Sequence, residues 1–209
     1  IVPCNSVRDL GILVESNLKP SAHCSYIVLK ANARAKLILK AFLSRDYKSL
    51  TRAFAVYVRP LLEYCSPAWS PHNKGDIDLI ENVQRAFTRK VYYMCNMQYV
   101  SYNERLLFLG LERLELRRLH ADVVFMYKLV KGFVSCNLSH ELNNGIIRGH
   151  RFKLFVSRCN KVVLGSFFFN RVLPAWNNLP DNCFDCITVS AFKTKLTKID
   201  FSQYFKSKL

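Results

Sequence analysis

Ile77, Ile80, Val83, Phe87, Val91 and Met94 recur at steps of three and four, which places them on one face of a helix. Asp78 and Glu81 sit early in that segment and Arg85, Arg89 and Lys90 late, an order that suits the helix dipole. Glu81 and Arg85 form a favourable i,i+4 pair, and Asp76 can cap the helix start by accepting from a free backbone N–H. Upstream, Leu50 to Tyr64 is apolar and aromatic enough for a more buried helix. Pro60 should kink it, because proline supplies no N–H and crowds the carbonyl four residues back. Ser66-Pro67 should end it, since a residue before proline avoids the α region. Pro67, Trp69 and Pro71 then set a rigid corner, and the whole reads as an αα-hairpin.

The same patterning covers the rest of the chain. Val7 to Glu15 alternates, with Gly11 inside, and reads as one short strand ending at Ser16-Asn17. Residues 20–44 form the best single helix: Pro20 sits at its start, Ser21 can cap, and Ile27, Val28, Ala31, Ala35, Ile38, Leu39 and Phe42 make an apolar stripe. Residues 101–109 carry a capping-box pattern, Ser101 and Glu104, and a stop at Gly110. Residues 112–131 form another helix, led by Glu112 and Glu115 and stopped by Gly132, with Leu116, Leu119, Val123, Met126, Tyr127 and Val130 buried. Residues 135–147 are polar and Asn-rich and read as a linker. Arg151 to Leu164 alternates enough for a hairpin turning near Arg158 to Lys161; Phe167 to Trp176 is a short aromatic helix; 188–199 is a last helix capped by Thr188 or Ser190. The fold class expected is mainly α, a helical bundle with a short N-terminal strand and a C-terminal part made of a small β-hairpin plus helix.

Charge changes the picture. Lys and Arg number 31 against 15 acids, a net charge of +16, which points to a polyanion as partner. The excess is concentrated: Ser16 to Arg45 and Leu142 to Pro180 contain no acid at all. Lys30, Arg34, Lys36 and Lys40 fall opposite the apolar stripe of the 20–44 helix, and are the first candidates for phosphate contact. Arg148, Arg151, Arg158 and Lys161 are the second. Aromatics interleave with cations in Arg151-Phe152-Lys153 and Phe167-Phe168-Phe169-Asn170-Arg171, a pattern that can hold single strands, although three consecutive Phe are more often core. No apolar run reaches the ~18 residues of a membrane span. The chain opens on Ile1 with no signal-peptide pattern, and is expected to be a piece of a longer intracellular chain.

Catalytic chemistry is sparse. A polymerase needs two Asp to hold divalent metals, and no Asp-Asp occurs; Asp76 and Asp78 read as helix-start residues. Eight Cys without a secretory signal read as reduced thiols. Cys183-x-x-Cys186 could complete a zinc site only with distant partners such as His150 and Cys159, so the expectation is no metal and no cofactor. The five His show no triad spacing.

Arg59-Pro60-Leu61-Leu62-Glu63-Tyr64, Ser66-Pro67-Ala68-Trp69 and Ile80-Glu81-x-Val83-Gln84-Arg85 resemble the region after the polymerase palm in LINE-type (non-LTR) retrotransposon reverse transcriptases, the jockey-like branch among them. The resemblance extends to Val7-Arg8-Asp9-Leu10-Gly11-Ile12 with His23, to Tyr102-x-x-Arg105-Leu106, Leu109-Gly110-Leu111 and Arg117-Arg118, and to Arg148-Gly149-His150, Phe167-Phe168-x-Asn170-Arg171-Val172 and Trp176-Asn177-x-Leu179-Pro180. It implies the end of a palm-like strand segment at 1–19, a thumb-like helical domain at 20–134 and, after the 135–147 linker, a small basic subdomain at 148–209. The implied function is a non-catalytic C-terminal fragment of an RNA-directed DNA polymerase, in the nucleus or cytoplasm. It would grip template–primer or target nucleic acid (RNA–DNA hybrid, RNA or DNA) through phosphates, with magnesium belonging to the palm. The alternative is a helical protein-interaction module with a basic surface.

Overall fold

The computed structural model describes residues 4–43, 45–135, 150–156 and 162–207. It is mainly helical, with a two-stranded antiparallel sheet at the N-terminus. The chain divides into two compact units, 1–117 with 206–209, and 118–205.

The first unit opens on a hairpin rather than a single strand. Strands β1 (Ser6–Asp9) and β2 (Ile12–Glu15) pair with each other, Asp9 opposite Ile12 and Ser6 opposite Glu15. The turn between them needs positive φ at both positions, and Leu10 (φ 44°) and Gly11 (φ 89°) supply it. Leucine is an unusual residue there, which is why the pattern reads as one strand.

Helix α1 (Ser21–Ala41) lays Cys24, Ile27, Val28, Ala31, Ala35 and Ile38 into the core against α5 (Lys74–Met94). Ser21 does not cap α1: Pro20 holds the cap position, and the Ser21 hydroxyl donates to Asp76 Oδ2 at 2.7 Å. Asp76 therefore does not cap α5, which starts two residues earlier after Asn73; it lies in the first turn, where its charge still favours the dipole.

The buried helix begins at Tyr47, capped by Asp46, whose carboxylate accepts from the backbone N–H of Lys48 and Ser49. Helix α2 (Tyr47–Ala53) passes through a π-helical turn, Phe54–Val58, into α3 (Arg59–Glu63). The Arg59 N–H reaches Phe54 O, five residues back. This widened turn accommodates Pro60, which has no N–H to give. After α3, Cys65 adopts a left-handed conformation (φ 51°, ψ 32°), and the single turn α4 (Ser66–Trp69) follows with Pro67 in its first turn. Trp69 is 5% exposed, its indole N–H donates to Tyr64 O at 2.8 Å, and Pro71 is buried.

Helix α6 (Tyr102–Leu109) has the expected capping box and ends on Gly110 at φ 62°. It is joined to α5 and to the start of α7 (Leu114–Val130) through buried polar groups. Glu81, 1% exposed, accepts from the Tyr102 hydroxyl at 2.6 Å and from the Leu114 N–H at 2.9 Å. Gln84, fully buried, donates to Tyr102 Oη and Glu112 O. The expected Glu81–Arg85 pair does not form, because both Glu81 oxygens are taken inside; Arg85 bonds Asn82 and lies 5.1 Å from the Tyr102 ring. Glu63 binds Arg117 through Nε and Nη2. Residues 206–207 complete the unit: the Lys206 N–H donates to Glu115, Arg113 donates to Ser207 O, and the Ser207 hydroxyl donates to Asp78.

In the second unit Tyr127 stacks on Phe192 at 4.1 Å and Trp176 meets Phe184 edge-on. Helices α8 (Val162–Ser166), α9 (Phe168–Asn177) and α10 (Val189–Leu196, capped by Thr188) follow the 150–156 segment. The returning arm expected of a hairpin is helical from Val162; its turn, 158–161, and most of the 135–147 linker lie outside the described residues. The Asn177 side chain holds Leu154, accepting from the Leu154 N–H and donating to Leu154 O. A primary amide supplies both a donor and an acceptor, so one side chain satisfies both backbone groups of a residue.

Candidate nucleic-acid interface

With its apolar face in the core, α1 leaves an outer arc on which Lys30, Arg34, Lys36 and Lys40 are all exposed. At about 100° per residue the four span about 160° and form two rows, Lys30 with Arg34 and Lys36 with Lys40. Ala33 and Leu37, both exposed, lie between the rows, and Leu29 continues the second toward the helix start. Leu29 is 72% and Leu37 60% exposed, two apolar residues outside the stripe that the sequence pattern marks. Helix α1 itself has no acid, and among the described residues none of the four cations is in an ion pair.

Two further residues join this face. Tyr26 lies one turn before Lys30, whose Nζ is 4.4 Å from the ring centroid; the Arg8 guanidinium of β1 is 5.4 Å from the same ring. The Lys30 ammonium, by hydrogen bonding and charge together with Arg8, holds the Tyr26 phenol below its usual range. The Tyr26–Lys30 spacing is visible in the sequence; Arg8 reaches the ring only because the N-terminus is a hairpin.

Of the second cation group, Arg148, Arg158 and Lys161 lie outside the described residues. Arg151 is exposed, its guanidinium 4.8 Å from the Phe152 centroid. Arg171, in the Phe-rich run, is held by the buried Asp122 through Nε (2.9 Å) and Nη2 (3.1 Å). Burial raises the Asp122 pKa, and Arg171 opposes that rise. Phe167 is 46% exposed, while Phe168 and Phe169 are half-buried.

The candidate metal ligands have other contacts. Cys183 and Cys186 are buried free thiols, and burial pushes the Cys183 thiol up. His150 is buried, stacked on Phe184 at 4.1 Å with Nε2 3.1 Å from Trp176 O, and burial lowers its pKa. Cys159 lies outside the described residues, among which no group of three or more metal-binding side chains converges. Asp76 and Asp78 accept from Ser21 and Ser207. No helix among the described residues is long and apolar enough to cross a membrane.

The residue blocks that carry the resemblance to reverse transcriptases meet in space within each unit. Tyr64 Oη donates to Leu10 O, and His23 meets the Trp69 ring at 4.9 Å. Glu63 meets Arg117. In the second unit the Trp176 indole donates to Phe152 O beside His150.

Among curated proteins the chain is similar to an uncharacterized protein of Caenorhabditis elegans, 33% identical over 106 residues that make up 51% of this chain and 54% of the relative. The chain thus spans about half the length of the curated relative it matches. No family model matches the chain, and no solved structure matches it.

Proposed function

We propose that this chain is a non-catalytic segment of a retrotransposon reverse transcriptase of the LINE type, gripping template–primer duplex through phosphates. The observation that carries the reading is the outer face of α1: Lys30, Arg34, Lys36 and Lys40 exposed and, among the described residues, without a carboxylate partner, with Arg8 alongside. Two rows of cations on a convex helix can contact two phosphate backbones without disturbing the core. The sequence resemblance of the 59–85 segment to that family supports the same reading. The transfer step belongs to another part of such a polymerase, because this chain has no Asp-Asp pair to hold metal.

The test is a salt titration of binding to an RNA–DNA hybrid, with an acidic peptide of equal charge as comparison. The reading expects hybrid binding whose log K falls by roughly 0.7–0.9 per phosphate contacted for each decade of salt. It also expects no primer extension with nucleotides and magnesium. Equal or stronger binding to the peptide, or extension above a buffer control, removes it. One observation favours a second reading, a protein-interaction module: the exposed Leu29 and Leu37 suit an acidic partner helix with an apolar stripe.

A further inference from the structure

A separate groove in the first unit, about 530 Å³ in volume, lies along the outer side of α2 and α3 and is closed by the end of α6. Lys48, Arg52 and Arg59 line one wall and Phe108, Gly110 and Leu111 the other, with Tyr47 beside Phe108 at a centroid distance of 5.0 Å. Among the described residues no carboxylate lines it. Lys48 and Arg52 are exposed, and Phe108 is 51% exposed.

Arg59 is the telling residue. Its closest carboxylate oxygen, Glu63 Oε1, is 3.9 Å away, beyond hydrogen-bond reach, and Glu63 is already held by Arg117 through two nitrogens. Burial first and the Arg117 charge second push the Arg59 pKa down, and the Glu63 and Glu112 charges oppose them. Arg117 takes both Glu63 oxygens and Glu112 as well, so the half-buried Arg59 guanidinium keeps its N–H donors for the concave surface it lines. An anion entering there gains charge-assisted hydrogen bonds that the protein does not itself provide.

We infer that this groove binds a short single-stranded nucleic-acid segment, its phosphates on Lys48, Arg52 and Arg59 and one base against Phe108. This rests on the nucleic-acid reading above and adds a second site to it. The three cations rise along one helical run at about 1.5 Å per residue, so they follow a single backbone. The volume falls in the range of small-ligand sites, about 300–1,000 Å³, which holds one or two nucleotides and excludes a duplex. Aromatic faces beside a cationic track are how bases are held without sequence preference. Duplex goes to the convex α1 face, and an unpaired strand to the concave one.

The test uses the whole chain and a fluorescein-labelled hexanucleotide, in DNA and RNA forms, followed by anisotropy. The Lys48→Gln/Arg52→Gln variant changes two exposed residues and leaves the Arg59–Glu63–Arg117 cluster intact. It should weaken hexamer binding at least about tenfold and flatten its salt slope by about 1.4, two contacts at about 0.7 each. Binding to blunt duplex should be unchanged. With a 2-aminopurine hexamer, stacking should quench fluorescence in the wild type, and Phe108→Leu should relieve the quench. A hexamer affinity unchanged in the double variant, or an acidic peptide that binds the groove in preference to the hexamer, overturns the inference. If the double variant loses the hexamer while duplex binding is absent from the wild type, the duplex reading fails and the groove stands.

Discussion

The Tyr102 hydroxyl stands 2.6 Å from Glu81 Oε1 and donates to a carboxylate that solvent scarcely touches. The pair joins α6 to α5, and the other Glu81 oxygen anchors the first N–H of α7. Burial, then the Glu81 charge, raise the Tyr102 phenol far above its ordinary pKa, so the proton stays on tyrosine. Tyr102→Phe leaves Glu81 Oε1 without its donor in a buried site, and a lost hydrogen bond to a charged group costs about 1.5–3 kcal/mol. Urea unfolding should show that loss with an unchanged m-value. A change below about 0.5 kcal/mol would mean that water replaces the hydroxyl.

Trp69 closes the corner between α3 and α5. Its ring is buried against His23 and its N–H is committed to Tyr64 O. Trp69→Ala should destabilise by about 3–5 kcal/mol, the range for truncating a buried aromatic. Trp69→Phe keeps most of the volume and should recover at least half of that, as read by thermal or urea denaturation. Equal losses in the two variants would place the whole effect in the hydrogen bond.

The two cation rows of α1 can be tested separately. Lys30→Gln/Arg34→Gln and Lys36→Gln/Lys40→Gln should each flatten the duplex salt slope by about 1.4–1.8, and the quadruple variant by about 3 units. Gln is nearly as good a helix former as Lys, so circular dichroism should not change. If only one pair matters, the duplex lies along one edge of the helix. If neither does, the second cation group around Arg151 becomes the leading surface.

His23 gives the first unit a pH dependence. Its Nδ1 accepts from the Leu13 N–H at 3.2 Å, so protonation there breaks a hydrogen bond. Burial first, and Arg8 second, hold its pKa below 6.5. Above about pH 6.5 the ring is neutral folded and unfolded, and contributes no slope. Below that the unfolded chain takes up the proton first, so stability falls until the pH passes the folded value, where the loss levels off. The urea midpoint should drop as the pH falls below about 6.5. It should drop less in His23→Asn, whose side-chain oxygen can accept in place of Nδ1 without titrating. His150, lowered by burial in the same sense, leaves a residual slope.

What is legible in the sequence is local. The Ser101–Glu104 capping box, the Gly110 and Gly132 stops, the Thr188 cap and the inner face of α1 each depend on residues within a turn or two of one another. What escapes it is decided at a distance. Glu81 has an acceptable partner at Arg85, but Tyr102 and Leu114, 21 and 33 residues on, offer a buried site that excludes it. Asp76 and Ser21 each look like a cap and instead satisfy each other across 55 residues. The Pro60 kink is foreseeable but its form is not, because a π-turn stores the extra residue upstream of the proline. The cations of α1 can be placed from helical angle alone. Arg8 and the groove cations cannot, since their positions depend on the hairpin and on the end of α6.

The placement of Lys206 and Ser207 in the first unit bears on how the chain is made. Arg113, Glu115 and Asp78 each gain a partner encoded after residue 205. At about 5–20 residues per second, the ~90 residues between take about 4–18 s to synthesise. Through that interval the bonds of the first unit to residues 206 and 207 cannot yet form, while residues 118–205 are being made. The unit that emerges first is therefore the one that is finished last.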